Sequence, residues 1–195
     1  MSDHISLDSK KNRLPPGQKK KKKFPTLSKG SIPDWPEDWK LRVFGEVEKD
    51  LRFSLGDLKN MDEVLTQNQD FHCVTGWSKL GIEWTGIEFS DLLKKIPKKK
   101  RVKHVMFHAL DGYTTNLPLK VCKEENLLIV WELEGNETPP EHGGPVRTVI
   151  ESRYAYKGIK WLSEIELMKE HEKGYWEERG YSDSADPWKE ERYSE

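Results

Sequence analysis

Two clusters of residue types in this chain could do chemistry. The first is FHCVTGWS (71–78), where Cys73 stands between His72 and a loop of Thr75, Gly76 and Trp77. The other cysteine, Cys122, lies far along the chain, and no CxxC or CxxCH occurs, so the cysteines form no disulfide framework. A thiol at the end of a β-rich run suits ligation. A single soft thiolate fits a soft or high-valent metal that brings most of its own ligands. The competing uses are a small buried hydrophobe and a nucleophile. His72 is a poor base for a nucleophile, because neighbouring strand residues point to opposite faces. A zinc site built from Cys73, His72, His104, His108 and Cys122 is disfavoured, since structural zinc ligands come in close pairs.

The second cluster is EHGGPVR (141–147) followed by YAYKGIKW (154–161). Gly143 and Gly144 would let backbone approach a ligand closely. Arg147 offers a planar fork of donors suited to phosphate, and Lys157 and Lys160 lie nearby in sequence. The alternative is a glycine turn between strands bearing solvated basic residues. The pattern is neither a Walker A loop nor a GxGxxG turn.

The elements that must position these groups are short. Residues 39–48 alternate as a half-buried strand, and 54–61 form a short helix capped by Ser54. FHCVTG is a strand stopping at Gly76. FSDLLKKI (89–96) is an amphipathic helix with Ser90 or Asp91 near its start and Pro97 at its end. VKHVMFHAL is a strand with DGY as its turn, and 117–126 is a short helix or turn that puts Cys122 in the core. Further strands fall at 126–135, 143–152 and 159–169. Strands and short helices without a βαβ rhythm predict an α+β fold with mixed β-sheets.

Composition bounds the rest. With 195 residues, 33 basic and 34 acidic, the chain predicts one domain of nearly balanced charge. Residues 1–23, ending in the run KKKKK (19–23), read as a flexible basic arm, followed by a single domain over 24–195. Residues 24–39 read as an ordered loop on its surface, and the Glu-rich 170–188 as a covering C-terminal arm. The first thirty residues lack the apolar segment of a secretory signal, and no apolar run has the length of a membrane span. The expectation is therefore a cytoplasmic protein with reduced thiols and no membrane span. Nucleic-acid binding through Lys19–Lys23 and Lys98–Arg101 is not favoured, because no aromatics interleave those runs.

In order along the chain, FHCVTGWS with WTGIEFSDLL, then DGYTTNLPL, then LLIVWELEGNETPPEHGGPVRTVI, then YKGIKWLSEIEL resemble the segments of the sulfite oxidase family of molybdenum-cofactor enzymes. The likeness spans about residues 24–168. It is strongest to small stand-alone prokaryotic members with an LPPGQ-type start and more distant to the methionine-sulfoxide reductase catalytic subunit. The resemblance implies the family's molybdopterin-binding fold and a Mo-molybdopterin cofactor. It implies Cys73 as the single protein ligand to the metal and Tyr113 as the active-site tyrosine. It places Ala109, His142, Arg147, Gly158, Ile159 and Lys160 at cofactor-binding positions. Ser78 and Lys79 stand where sulfite oxidases carry a substrate arginine, and LSKGSIP (27–33) also has none. The implied reaction is oxygen-atom transfer to or from sulfur or nitrogen, with reduction of a small S- or N-oxide favoured over sulfite oxidation. A catalytically inactive cofactor- or anion-binding module is the alternative of another class. No haem or flavin motif occurs, so the electrons would pass to or from a separate protein.

Overall fold

The computed structural model describes residues 13–194. In chain order the elements are β1 (Lys19–Lys20), β2 (Leu41–Gly45), β3 (Leu51–Phe53), α1 (Leu55–Lys59), β4 (Leu65–Cys73), β5 (Trp77–Glu88), α2 (Phe89–Lys94), β6 (His104–Ala109), β7 (Thr114–Pro118), α3 (Leu119–Glu124), β8 (Leu128–Leu133), β9 (Asn136–Glu137), β10 (Arg147–Val149) and β11 (Leu162–Met168). They form two mixed sheets. In one, the order is β1-β5-β8-β10, with β4 also on β5 and β9 on β8; in the other it is β3-β2-β11-β6-β7. The pairs β1–β5 and β11–β2 are parallel and the rest antiparallel. The predicted α+β class with mixed sheets and short helices is what the chain adopts.

Alternation explains the layering. Along β8, Ile129 and Trp131 join a core cluster with Val43 of β2, Phe107 of β6, Ile165 of β11 and Leu92 of α2. Leu128 and Val130, pointing the other way, pack with Ile82, Trp84 and Val149 on the opposite face. The six-stranded sheet is therefore covered on both sides, which is why β8 reads as a nearly continuous apolar run. Helix α1 has the predicted cap: Ser54 Oγ accepts from Asp57 N while Asp57 accepts from Ser54 N. Helix α2 starts at Phe89, earlier than Ser90 or Asp91, and Glu88 at its N-cap makes no side-chain cap bond.

Strands β5 and β7 are not foreseen in the sequence. Gly81 and Gly86 mask the strand character of β5 by the usual rule that glycine weakens strands. Here Gly86 has a specific use: a Cβ on it would meet the Ile129 carbonyl oxygen at 2.1 Å, at the register shift between β5 and β8.

The sequence reads 1–23 as a flexible arm, with LPPGQ (14–18) as a stiffer exception; residues 13–23 lie on the domain, while 1–12 fall outside the described residues. Arg13 pairs with Asp70. The buried Gln18 donates from Nε2 to the Cys73 carbonyl at 3.2 Å and accepts from Ser78 Oγ. Lys19 N donates to Gly76 O at 2.9 Å, and Lys21 N to Ser78 O at 2.8 Å. A charged segment adds itself to a sheet edge through its backbone, and composition does not register that bond.

Candidate active site

Cys73 is the last residue of β4 and faces Trp77 across a tight turn. Gly76, at φ +95°, closes that turn by donating its N–H to the Cys73 carbonyl at 3.0 Å. The thiol is 8% exposed, lies 3.1 Å from Thr75 Oγ1, and lines a cavity of about 300 Å³. His72 points to the other face as expected, its Nδ1 lying 2.8 Å from Ser78 Oγ.

The chain from 142 to 160 brings the cations to the same cavity. Arg147 opens β10 and is 1% exposed. Its NH1 donates to the His142 carbonyl at 2.5 Å, and its guanidinium lies over the rings of Trp84 and Phe71 at 5.4 and 5.6 Å. Among the described residues no carboxylate pairs with it. Burial alone pulls its pKa down to about 9. Lys160 donates to the Glu141 carbonyl at 2.7 Å, and burial together with Arg147 lowers its pKa to about 8. His142 stacks on Phe24 with ring centroids 4.5 Å apart. Burial first, then Arg147 and Lys160, holds its pKa below the usual imidazole value, which favours the neutral ring.

Tyr113 lines the cavity, and its hydroxyl donates to the Tyr156 carbonyl at 2.5 Å. Burial, reinforced by Glu177, holds its phenol well above the normal range, so it remains a proton-bearing donor. Lys29 stands at the same wall, with Nζ donating to the Asp111 carbonyl at 3.0 Å and lying 4.7 Å from the Tyr175 ring centroid. Trp176 and Tyr181 complete that side.

Six of the residues implied by the resemblance therefore share one cavity: Cys73, Tyr113, His142, Arg147, Gly158 and Lys160. Ala109 and Ile159 do not line it. Both backbone groups of Ile159 are taken by Thr148, N–H to Oγ1 and C=O from N–H, each at 2.8 Å. The Ala109 N–H is spent on the Tyr113 carbonyl. Lys157 also departs from the expected cluster. It is fully buried and bonds Asn116 and the Glu177 carboxylate, the latter at 2.5 Å. The two turn glycines serve the chain itself: a Cβ on Gly143 would meet Lys160 Cγ at 2.6 Å, and one on Gly144 the Thr138 carbonyl oxygen at 1.6 Å. Ser78 and Lys79 lie off the cavity, Ser78 buried among Gln18 and His72. Cys122 is buried in α3, and burial pushes its thiol pKa up. No group of three or more histidine, cysteine or acidic side chains suited to a metal occurs among the described residues. Sequence reasoning missed Phe24, Lys29, Tyr156, Trp176 and Tyr181. Phe24, Lys29, Trp176 and Tyr181 fall in segments read as surface loop or covering arm, and Tyr156 falls in the second cluster, where the basic residues drew the reading.

A family model described as the oxidoreductase molybdopterin binding domain matches residues 29–176. The chain belongs to that family. It is 38% identical over 184 residues to the uncharacterized oxidoreductase YuiH of Bacillus subtilis, covering 93% of this chain and 92% of that protein. It is 26% identical to the protein-methionine-sulfoxide reductase catalytic subunit MsrP of Pseudomonas syringae over 78% of this chain and 50% of the relative. It is 29% identical to the nitrate reductase [NADPH] of Fusarium oxysporum over 68% of this chain but 18% of that much longer protein. Among solved structures, the sulfane dehydrogenase SoxCD of Paracoccus pantotrophus superposes with a TM-score of 0.64 at 18% identity, covering 71% of this chain and 40% of that one. The fold is thus the sulfite oxidase molybdopterin-binding fold, and the family's cofactor is Mo-molybdopterin.

The residues present fit that cofactor. A buried guanidinium without a counter-ion is costly, and a phosphate bound at Arg147 would supply the missing charge. Lys160 and the neutral His142 add donors on the same wall, and the free thiol of Cys73 is available at the opposite sequence end of the site.

Proposed function

We propose that this protein is a molybdopterin-dependent oxidoreductase that reduces a small S- or N-oxide, drawing electrons from a separate donor in a reducing compartment. One observation carries the reading: a single cavity brings the free thiol of Cys73 together with Arg147, a fully buried cation with no carboxylate partner among the described residues. In this assignment Cys73 is the protein ligand to the metal, and Arg147, Lys160 and His142 hold the pterin phosphate. When bound, the cofactor supplies oxygen-atom transfer coupled to two electrons.

The chain's own residues orient the substrate, exclude water and hold protons. Tyr113 keeps a protonated hydroxyl at the cavity wall and can offer it to an oxide oxygen in place of the Tyr156 carbonyl. Tyr156, Trp176 and Tyr181 give the same wall an aromatic, weakly polar surface. That surface favours a neutral substrate. A dianion such as sulfite needs forked donors, and the cation on that side is Lys29, a point charge already bonded to the Asp111 carbonyl. The overall reaction balances as substrate oxide plus two electrons and two protons giving the deoxygenated product and water.

The test is turnover of loaded protein, with reduced methyl viologen as donor for sulfoxides and amine N-oxides and with ferricyanide as acceptor for sulfite. The expected result is oxide reduction, about one molybdenum per chain, and loss of the visible thiolate-to-metal absorption in Cys73→Ser with the fold intact. Sulfite oxidation without oxide reduction, or an unchanged spectrum in Cys73→Ser, would refute the assignment.

A further inference from the structure

The run Lys19–Lys23 takes no part in the chemistry above, yet its placement is specific. All five side chains are exposed, and among the described residues no carboxylate pairs with them. The run is fixed at both ends to the wall of the cavity. At its start, Lys19 pairs with Trp77 and bonds Gly76, within the turn that carries Cys73. At its end, Phe24 enters the cavity wall and stacks on His142. Beyond Phe24 the same loop presents the exposed apolar side chains of Leu27 and Ile32, with Lys29 between them. Five lysines without carboxylate partners, followed on the same segment by exposed apolar side chains, suit the docking of an acidic protein surface.

Taking the oxide-reductase reading as its basis, we propose that Lys19–Lys23, with Leu27 and Ile32, form the docking surface for an acidic one-electron carrier protein. Each docking oxidises one reduced carrier and delivers one electron. Two dockings match one substrate oxide, whose oxygen leaves as water with two protons. The position suits this use because electron transfer falls steeply with distance, and the run borders the Cys73 turn itself. The same observations disfavour a nucleic acid. Phe24, Phe71 and Trp77 beside the run pack on one another, and no aromatic interleaves the five lysines to stack on bases. Long-range attraction between five lysines and an acidic patch raises association rates by ~10- to 1,000-fold at low salt.

The experiment combines Lys19→Gln, Lys20→Gln, Lys21→Gln, Lys22→Gln and Lys23→Gln in the loaded full-length protein. The probe is an acidic flavodoxin, used oxidised for Kd and reduced for kcat/KM. The expected result is a loss of about tenfold or more in both, with a flattened salt dependence, and unchanged turnover with reduced methyl viologen. The matching Lys→Arg set should restore binding, which separates charge from folding. The proposal is overturned if flavodoxin does not bind the parent protein, or if the glutamine set binds it equally with the same salt slope. It is also overturned if single-stranded RNA or phosphatidylglycerol vesicles bind more tightly than flavodoxin and lose that binding instead. If viologen-driven oxide reduction fails while flavodoxin binding still depends on the lysines, the substrate reading falls and the docking surface stands.

Discussion

Replacing Arg147 by methionine separates what this residue does for the fold from what it does for a ligand. Its pKa falls from 12.5 to about 9 through burial alone. At ~1.4 kcal/mol per pKa unit, the buried charge costs the cofactor-free protein about 5 kcal/mol. A guanidinium does not give up its proton at ordinary pH, so that cost is carried as lost stability. Methionine removes the charge and can pack against Phe71 and Trp84. It also strands the His142 carbonyl, at a cost of ~1–3 kcal/mol. The net expectation is a cofactor-free variant more stable by about 2–4 kcal/mol, or roughly 4–16 °C in Tm for a chain of this size. Loading moves the other way. Losing two charge-assisted hydrogen bonds of ~1.5–3 kcal/mol each weakens cofactor affinity at least ~100-fold. Circular dichroism melting of protein from a host that makes no cofactor, beside molybdenum and pterin content from a competent host, reads both arms. A less stable cofactor-free variant, or one that loads fully, would show that Arg147 is a structural cation and not a phosphate site.

Lys160 gives a pH-dependent companion. Its folded pKa of about 8 lies below the ordinary 10.5, so between those values this residue binds more protons in the unfolded chain and its contribution to stability rises with pH. Lys160→Met should remove that contribution in cofactor-free protein, read as the difference from the parent in urea unfolding at both ends of the window; a variant with the parent's pH dependence would refute the assignment. A third expectation concerns the fully buried Lys157–Glu177 pair, which fixes the segment bearing Trp176 and Tyr181. Glu177→Gln should cost ~3–5 kcal/mol by stranding a buried ammonium, and Lys157→Met with Glu177→Leu should recover most of that. Chemical denaturation decides it, and a mild Glu177→Gln would mean that Asp183, 3.6 Å from Lys157, carries the pairing instead.

Local chemistry made much of the fold and part of the site legible. The Ser54 capping box, the apolar run of β8, the turn after Cys73 and the opposed directions of Cys73 and His72 all follow from short-range rules that the tertiary structure left in place. Cys73 and Arg147 also stood out by type, because few side chains offer a soft thiolate or a planar fork of donors. Strand β5 was hidden because its glycines argue against a strand until the partner backbone that needs Gly86 is known.

What the tertiary structure decided was which groups share a space and which charges find partners. Lys157 and Lys160 are near neighbours of one type, yet one turns into a buried pair with Glu177 and the other to the cavity wall. They sit on an irregular turn followed by extended backbone, where no period fixes side-chain direction. Ile159, between them, spends both backbone groups on Thr148. The lysine run likewise read as a solvated arm, since charge composition reports solvation but not the backbone bonds that anchor it beside Gly76 and Ser78. The sequence determined which functional groups exist and in what order. Their neighbours, and hence whether Arg147 is a compensated charge or one waiting for an anion, depended on contacts between residues far apart in the chain.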